Sequence, residues 1–254
     1  MKLNGFDKIA KHVPDLNFTG GRTKLALRFG GVFILTTAYF IISDQIPTWT
    51  IDSQIVVMAL GYLILSRFFT QKKIFVEKYK EMAYRQAFVK FAIPGLAIIF
   101  AAVAHITYMN GPKFTQPGIT TVLSVLGWLC VIVGAVLFVR SLFTFSLDYI
   151  TMVYTYFPEE GHIVNSSIYN VLRHPIYAGA LRFGIGLACL NMGIYALSFA
   201  VLLPLGLTGW VRLVEEKELL ERFPDYAEYR KNTPAFWPKI TKLPAFFKFL
   251  FTGR

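Results

Sequence analysis

Cysteine is nearly absent from this chain: Cys130 and Cys189 are the only two in 254 residues. Two are too few for a disulfide scaffold or a cysteine-rich metal site, and both read as small core residues within apolar stretches. Charge is also scarce, at 16% against roughly 25% in an average soluble domain. Disorder, which needs high charge and low hydrophobicity, is excluded on the same ground. Acidic residues are the scarcer sign, 15 Asp+Glu to 26 Lys+Arg, for a net charge of +11. No Gly-x-Gly-x-x-Gly follows a strand-like run, so nothing indicates a Rossmann nucleotide site. Internal repeats and low-complexity linkers are missing, which predicts a single domain over residues 1–254. No cleavable signal peptide is evident, because a polar, basic leader precedes the first apolar run.

What the chain has in abundance is hydrophobic residues, 55% of the total. They gather in runs near Leu25–Ile42, Ile51–Phe69, Phe88–Tyr108 and Ile119–Phe145, then Tyr177–Leu190 and Gly193–Leu213. About 20 apolar residues cross the hydrocarbon core of a bilayer. The expectation is an all-α polytopic membrane helix bundle of about six spans. The fifth run is short, so the last two are read as a helical hairpin, with five spans plus a re-entrant helix as the alternative. Gly184 and Gly186 inside the fifth run read as a small-residue packing face.

Every lysine and arginine except Lys113 falls on or near one side of the six-span arrangement. Basic residues placed between spans are an orientation signal rather than a nucleic-acid footprint. Both termini are therefore expected in the cytoplasm, in a prokaryotic inner or plasma membrane or the endoplasmic reticulum. Lys2–Lys11 and Leu243–Phe251 mix aromatic and aliphatic residues with lysine, as helices lying on anionic headgroups do. Phe75, Tyr79 and Met82 would share one helical face between the second and third spans.

Two polar clusters fall at the cytoplasmic edge, where ionisable residues are functional candidates. The first runs from Asn165 through Tyr169 to Arg173-His174-Pro175-Ile176-Tyr177. Pro175 suits the first turn of a helix, which puts Arg173, His174 and Tyr177 at an N-terminus able to receive an anion. Arg182, five residues beyond Tyr177, is a candidate for the same pocket. The second cluster runs from Arg212 through Glu215 and Glu216 to Leu220 and leads into Phe223–Tyr229. Ionised carboxylates there accept hydrogen bonds only, and favour a cation or hydroxyls. By the same reasoning His105 and His162 read as a packed and a loop histidine.

The two clusters, in this order, resemble the isoprenylcysteine carboxyl methyltransferase and phospholipid methyltransferase superfamily of integral membrane enzymes. The family's Arg-His-Pro-x-Tyr-x-Gly element is matched by Arg173, His174, Pro175, Tyr177 and Gly179. Upstream, Ile163-Val164-Asn165-Ser166-Ser167-Ile168-Tyr169 parallels Leu-Val-Thr-Ser-Gly-x-Tyr, with Tyr169 matching and Ser167 in place of glycine. Downstream come Glu215, Glu216 and Leu219, then an aromatic tail approximated by Phe223, Tyr226 and Tyr229. The resemblance covers about the last hundred residues and divides the domain into a four-span portion (1–150) and a methyltransferase-like portion (151–254).

It implies methyl transfer from S-adenosylmethionine, without a metal, to a membrane lipid or prenylated acceptor. Ile163, Tyr169, His174, Tyr177, Glu215 and Glu216 would bind the cofactor. Arg173, His174 and Arg182 would serve the catalytic edge and the acceptor. An NADPH-dependent sterol or steroid reductase is the alternative, although those proteins resemble Arg-His-Pro-Asn-Tyr where this chain has Ile176. A non-catalytic lipid-binding protein is the other.

Overall fold

The computed structural model describes residues 5–161 and 167–253. Among them the chain is helical, and its extended pairing is an isolated bridge between Lys113 and Gly193. Five stretches are long and apolar enough to cross a membrane: Thr19–Ser43, Pro47–Thr70, Lys72–His105, Pro117–Thr144 and Ile194–Arg222. The chain is an all-α, integral membrane protein.

Helix α1 (Phe6–His12) precedes α2 (Thr19–Ser43) and α3 (Thr50–Thr70). The sequence leaves the amino-terminal segment either lying on headgroups or held by packing. Ile9, Ala10 and His12 of α1 are buried, and the His12 ring stacks on Phe157 at 3.7 Å. Helix α4 (Lys72–Tyr79) stops at Lys80, whose φ of 50° reverses the chain. Phe75 therefore sits 5.4 Å from the ring of Phe91. The single face expected for Phe75, Tyr79 and Met82 is broken there: Phe75 is buried, whereas Met82 lies beyond the reversal and is exposed. Helix α5 occupies residues 83–105 and contains a π turn at Phe88–Ala92, just before Pro94.

Helix α6 (Pro117–Thr144) pairs with α7 (Pro175–Asn191), and a two-residue turn leads into α8 (Ile194–Arg222). Helix α7 has 17 residues, about 25 Å at the α-helical rise. It nonetheless follows α6 across the bundle, because glycines fix their register. A Cβ on Gly134 would stand 2.5 Å from the Phe183 amide nitrogen, and one on Gly186 would stand 2.7 Å from the Gly127 carbonyl oxygen. Gly179 meets Phe138 in the same way. Helices in lipid gain no hydrophobic drive toward each other, so bare backbone surfaces that permit close dispersion contact decide where they pair. The α7–α8 turn then docks on the loop joining α5 to α6, with Phe114 donating to Met192 at 2.9 Å and Ile194 to Pro112 at 2.8 Å.

His105 is buried at this end. Its Nδ1 lies 2.8 Å from Gln54 Oε1 and its Nε2 lies 3.0 Å from Asp44 Oδ2. The sequence had marked His105 as a packed histidine; its carboxylate partner comes from a loop 61 positions earlier. At the opposite end, α8 continues past Leu213, where the sequence reading ended the span, through a π turn at Val211–Glu215 to Arg222. Two further helices, α9 (Tyr226–Asn232) and α10 (Leu243–Thr252), close the chain. Arg140 of α6 holds the last turn of α10 by donating to Phe249 O at 3.0 Å.

Candidate active site

Pro175 stands at the first position of α7, and His174 precedes it with a non-helical backbone. Two main-chain bonds seat this corner: Arg173 N donates to Pro234 O at 3.0 Å, and His174 N to Ala235 O at 3.2 Å. The carboxyl-terminal end of α8 arrives beside it, carrying the two glutamates through the π turn. Such turns shift the phase of a helix and recur at functional sites.

The adjacent carboxylates meet different surroundings. Glu216 is fully buried. One of its oxygens, Oε1, receives Arg173 Nε at 2.5 Å and faces His174 Nε2 at 3.1 Å, while Oε2 pairs with Arg230 Nε at 3.1 Å. Arg173 also donates to the carbonyl of Thr233. Glu216 is thus the hub tying α7, α8 and α9 together, and it does not line the cavity. Glu215 does line it. Its Oε1 is 3.7 Å from His174 Nδ1, Tyr177 is its hydrogen-bond partner, and its buried Oε2 has no partner among the described residues.

The cavity itself measures about 140 Å³ and is walled mainly by aromatic and aliphatic groups. Tyr169, Arg173, His174 and Tyr177 contribute to it from the first sequence cluster; Glu215 and Glu218 contribute from the second, and Arg222 from the residues just after it. The Tyr169 hydroxyl is buried without a partner, and its carbonyl accepts from the Tyr229 hydroxyl at 2.6 Å. Burial raises the phenols of Tyr169, Tyr226 and Tyr229 above the ordinary tyrosine range, so all three remain neutral hydroxyls at physiological pH.

Arg182 is not brought to this cavity. It lies one helical turn and a half further along α7, where its Nη1 donates to Ala178 O at 2.9 Å and Phe236 O at 3.1 Å. Its guanidinium stacks 4.5 Å from the Trp237 ring centre. The periodicity that suggested a shared pocket therefore aims Arg182 at the carboxyl-terminal tail. Ile163 lies outside the described residues, as does His162. The wall formed by Phe145, Tyr149, Tyr154 and Thr155 was not anticipated. Its sequence signal is the density of aromatic residues just after the fourth span, which blends into the apolar run before it.

Residues 122–225 match the family model described as phospholipid methyltransferase. Over 84 residues the chain is 33% identical to the cobalt-zinc-cadmium resistance protein CzcN of Cupriavidus metallidurans, a match that spans 31% of this chain and 37% of that protein. No solved structure matches the chain. The resemblance to the isoprenylcysteine carboxyl methyltransferase and phospholipid methyltransferase superfamily holds, and the matched segment begins inside α6, ahead of the boundary expected at residue 151. It takes in both glycine-bearing helices and both polar clusters.

Proposed function

We propose that the chain is an S-adenosylmethionine-dependent methyltransferase acting on a lipid-like or prenylated acceptor at the cytoplasmic membrane face. The observation that carries this reading is the convergence of the two polar clusters on one cavity that holds buried polar groups without a hydrogen-bond partner, Glu215 Oε2 and the Tyr169 hydroxyl among them. A lone carboxylate oxygen is costly to bury unless a donor arrives to meet it. Ribose hydroxyls and an ammonium are such donors, and the aromatic walls suit the flat, apolar parts of the cofactor.

In this reading Glu215 and Tyr177 hold the ribose or amino group, and the backbone near Ile163–Tyr169 takes the adenine. Arg222 and the amides that open α7 face the carboxylate end. Bound S-adenosylmethionine supplies a methyl group activated on a sulfonium. The protein's part is chiefly to position donor and acceptor in line and to exclude water. His174, which lines the cavity, would take the proton from an ammonium acceptor; a carboxylate or thiolate acceptor needs no such base. Glu216 and Arg173 position His174, and Arg182 anchors the tail. The basic leader and tail support the cytoplasmic placement of this end.

Calorimetric titration of S-adenosylmethionine into the detergent-solubilised protein tests the assignment. Glu215→Gln is expected to weaken binding by roughly 10–100-fold, the loss that goes with one charge-assisted hydrogen bond. NADPH is expected not to compete. Unchanged affinity in Glu215→Gln, or displacement by NADPH, overturns the reading.

A further inference from the structure

Apart from this cavity, a cleft of about 690 Å³ opens between α2 and α5. Lys24, Arg28, Gly31 and Leu35 line it from α2. Those positions, spaced by four, three and four, form one continuous helix face. From α5 the wall is Arg85, then Lys90, then Ile93 and Pro94. Both walls therefore pass from cations to hydrocarbon over two to three turns, and they do so in the same direction, from the end where Arg85 meets Asp15.

The charges are unbalanced. Asp15 is the carboxylate that lines the cleft, and Arg85 already holds it through Nε and through Nη2 at 2.8 Å. Lys24, Arg28 and Lys90 are exposed and make no salt bridge among the described residues, although Lys24 lies within the field of Asp15 and the Lys90 ammonium is 5.3 Å from the Phe91 ring centre. Gly31 supplies a separate observation. A Cβ there would meet no atom within 4 Å, so helix packing does not call for a glycine. Its missing side chain instead leaves the floor of the cleft open midway between the cations and Leu35.

We propose that this cleft binds one anionic phospholipid, its phosphate among Lys24, Arg28 and Lys90 and an acyl chain along Gly31, Val32 and Leu35. A lipid has the same order of groups as the two walls, charge at the interface followed by hydrocarbon. Net negative charge is what three unpaired cations select, since a zwitterionic headgroup brings its own ammonium to the same place. The site is independent of methyl transfer and lies on helices outside the matched family segment.

Thermal unfolding in neutral detergent reads the binding, with added phosphatidylglycerol or phosphatidylcholine of identical chains as probes. Phosphatidylglycerol is expected to raise Tm by at least about 3 °C more than phosphatidylcholine, as ligands that bind only the folded state do. The combined variant Lys24→Gln, Arg28→Gln, Lys90→Gln should lose that difference. Gly31→Phe, which removes no charge, should lose it too by filling the floor. The combined tail variant Lys239→Gln, Lys242→Gln, Lys248→Gln should keep it. Equal shifts with the two lipids, a retained difference in both cleft variants, or an equal loss in the tail variant overturns the proposal.

Discussion

Ser167 stands where the resembling family carries glycine, and its φ of 52° lies in the left-handed region that glycine enters freely. For an L-residue that conformation costs about 1–2 kcal/mol. The serine thus holds a conformation that glycine would enter without that cost. Ser167→Gly is expected to leave thermal stability unchanged or slightly higher and to preserve cofactor affinity. Ser167→Val, β-branched at the same φ, should lower Tm; an equal response to both substitutions in a melting experiment would show that the backbone there carries no strain. The same scale explains what could be read at the site. Arg173, His174, Tyr177 and Glu215 were identifiable because their residue types and order limit their chemistry. Which of two consecutive glutamates faces the cavity was not, since neighbours on a helix point about 100° apart and the π turn resets the phase. Their roles therefore divide: Glu216 holds the corner together and Glu215 faces the cavity.

Among the elements, the α6–α7 pair is the most constrained, because backbone meets backbone at Gly134, Gly179 and Gly186. Gly134→Leu is expected to force the helices apart and to cost more than the 1–3 kcal/mol typical of an overpacked core, since neither helix can yield a main-chain atom. A Cβ on Gly206 of α8 meets nothing within 4 Å, so Gly206→Ala should be silent. Size-exclusion profiles and melting curves in detergent distinguish the two outcomes. The spans themselves were legible from hydropathy, which only has to report what can be buried in lipid. The break at Lys80 and the extension of α8 to Arg222 were not. Both depend on local backbone geometry and on partners far along the chain. Arg182 shows the same limit, because its spacing from Tyr177 was visible while the tail that receives it, at Phe236 and Trp237, was not.

For the whole molecule, the amino-terminal strap links the first residues to the wall of the cavity. Lys8 pairs with Asp148 at 3.4 Å, and Lys11 and His12 reach Glu160 at 2.7 and 3.2 Å. The Lys11 ammonium beside Glu160 holds its carboxyl below the usual value of 4.5. Although burial opposes it, bonds from Ser146, Tyr154 and Lys8 hold the Asp148 carboxyl below 3.8. A depressed carboxylate contributes stability above its unfolded value and loses that contribution as pH falls through the folded one. Docking of α1 should accordingly be constant near neutrality and weaken as pH drops from about 4.5. Hydrogen exchange over residues 6–12 would follow this loss. Glu160→Gln should raise exchange already at pH 7 and flatten the acid response, and a wild-type strap indifferent to acid would contradict the electrostatic account.

The contact between Arg173 and Glu216 has a bearing on biogenesis. Forty-three positions separate the two residues, and α7 and α8 occupy most of that interval. A nascent chain thus presents Arg173 and His174 before their carboxylate exists, and the pair can close only after both helices of the hairpin have been made. The backbone acceptors at Thr233, Pro234 and Ala235 emerge later still. The corner therefore closes only after the segment behind α8 has been made, and a chain arrested before α9 would hold α7 and α8 but no finished corner.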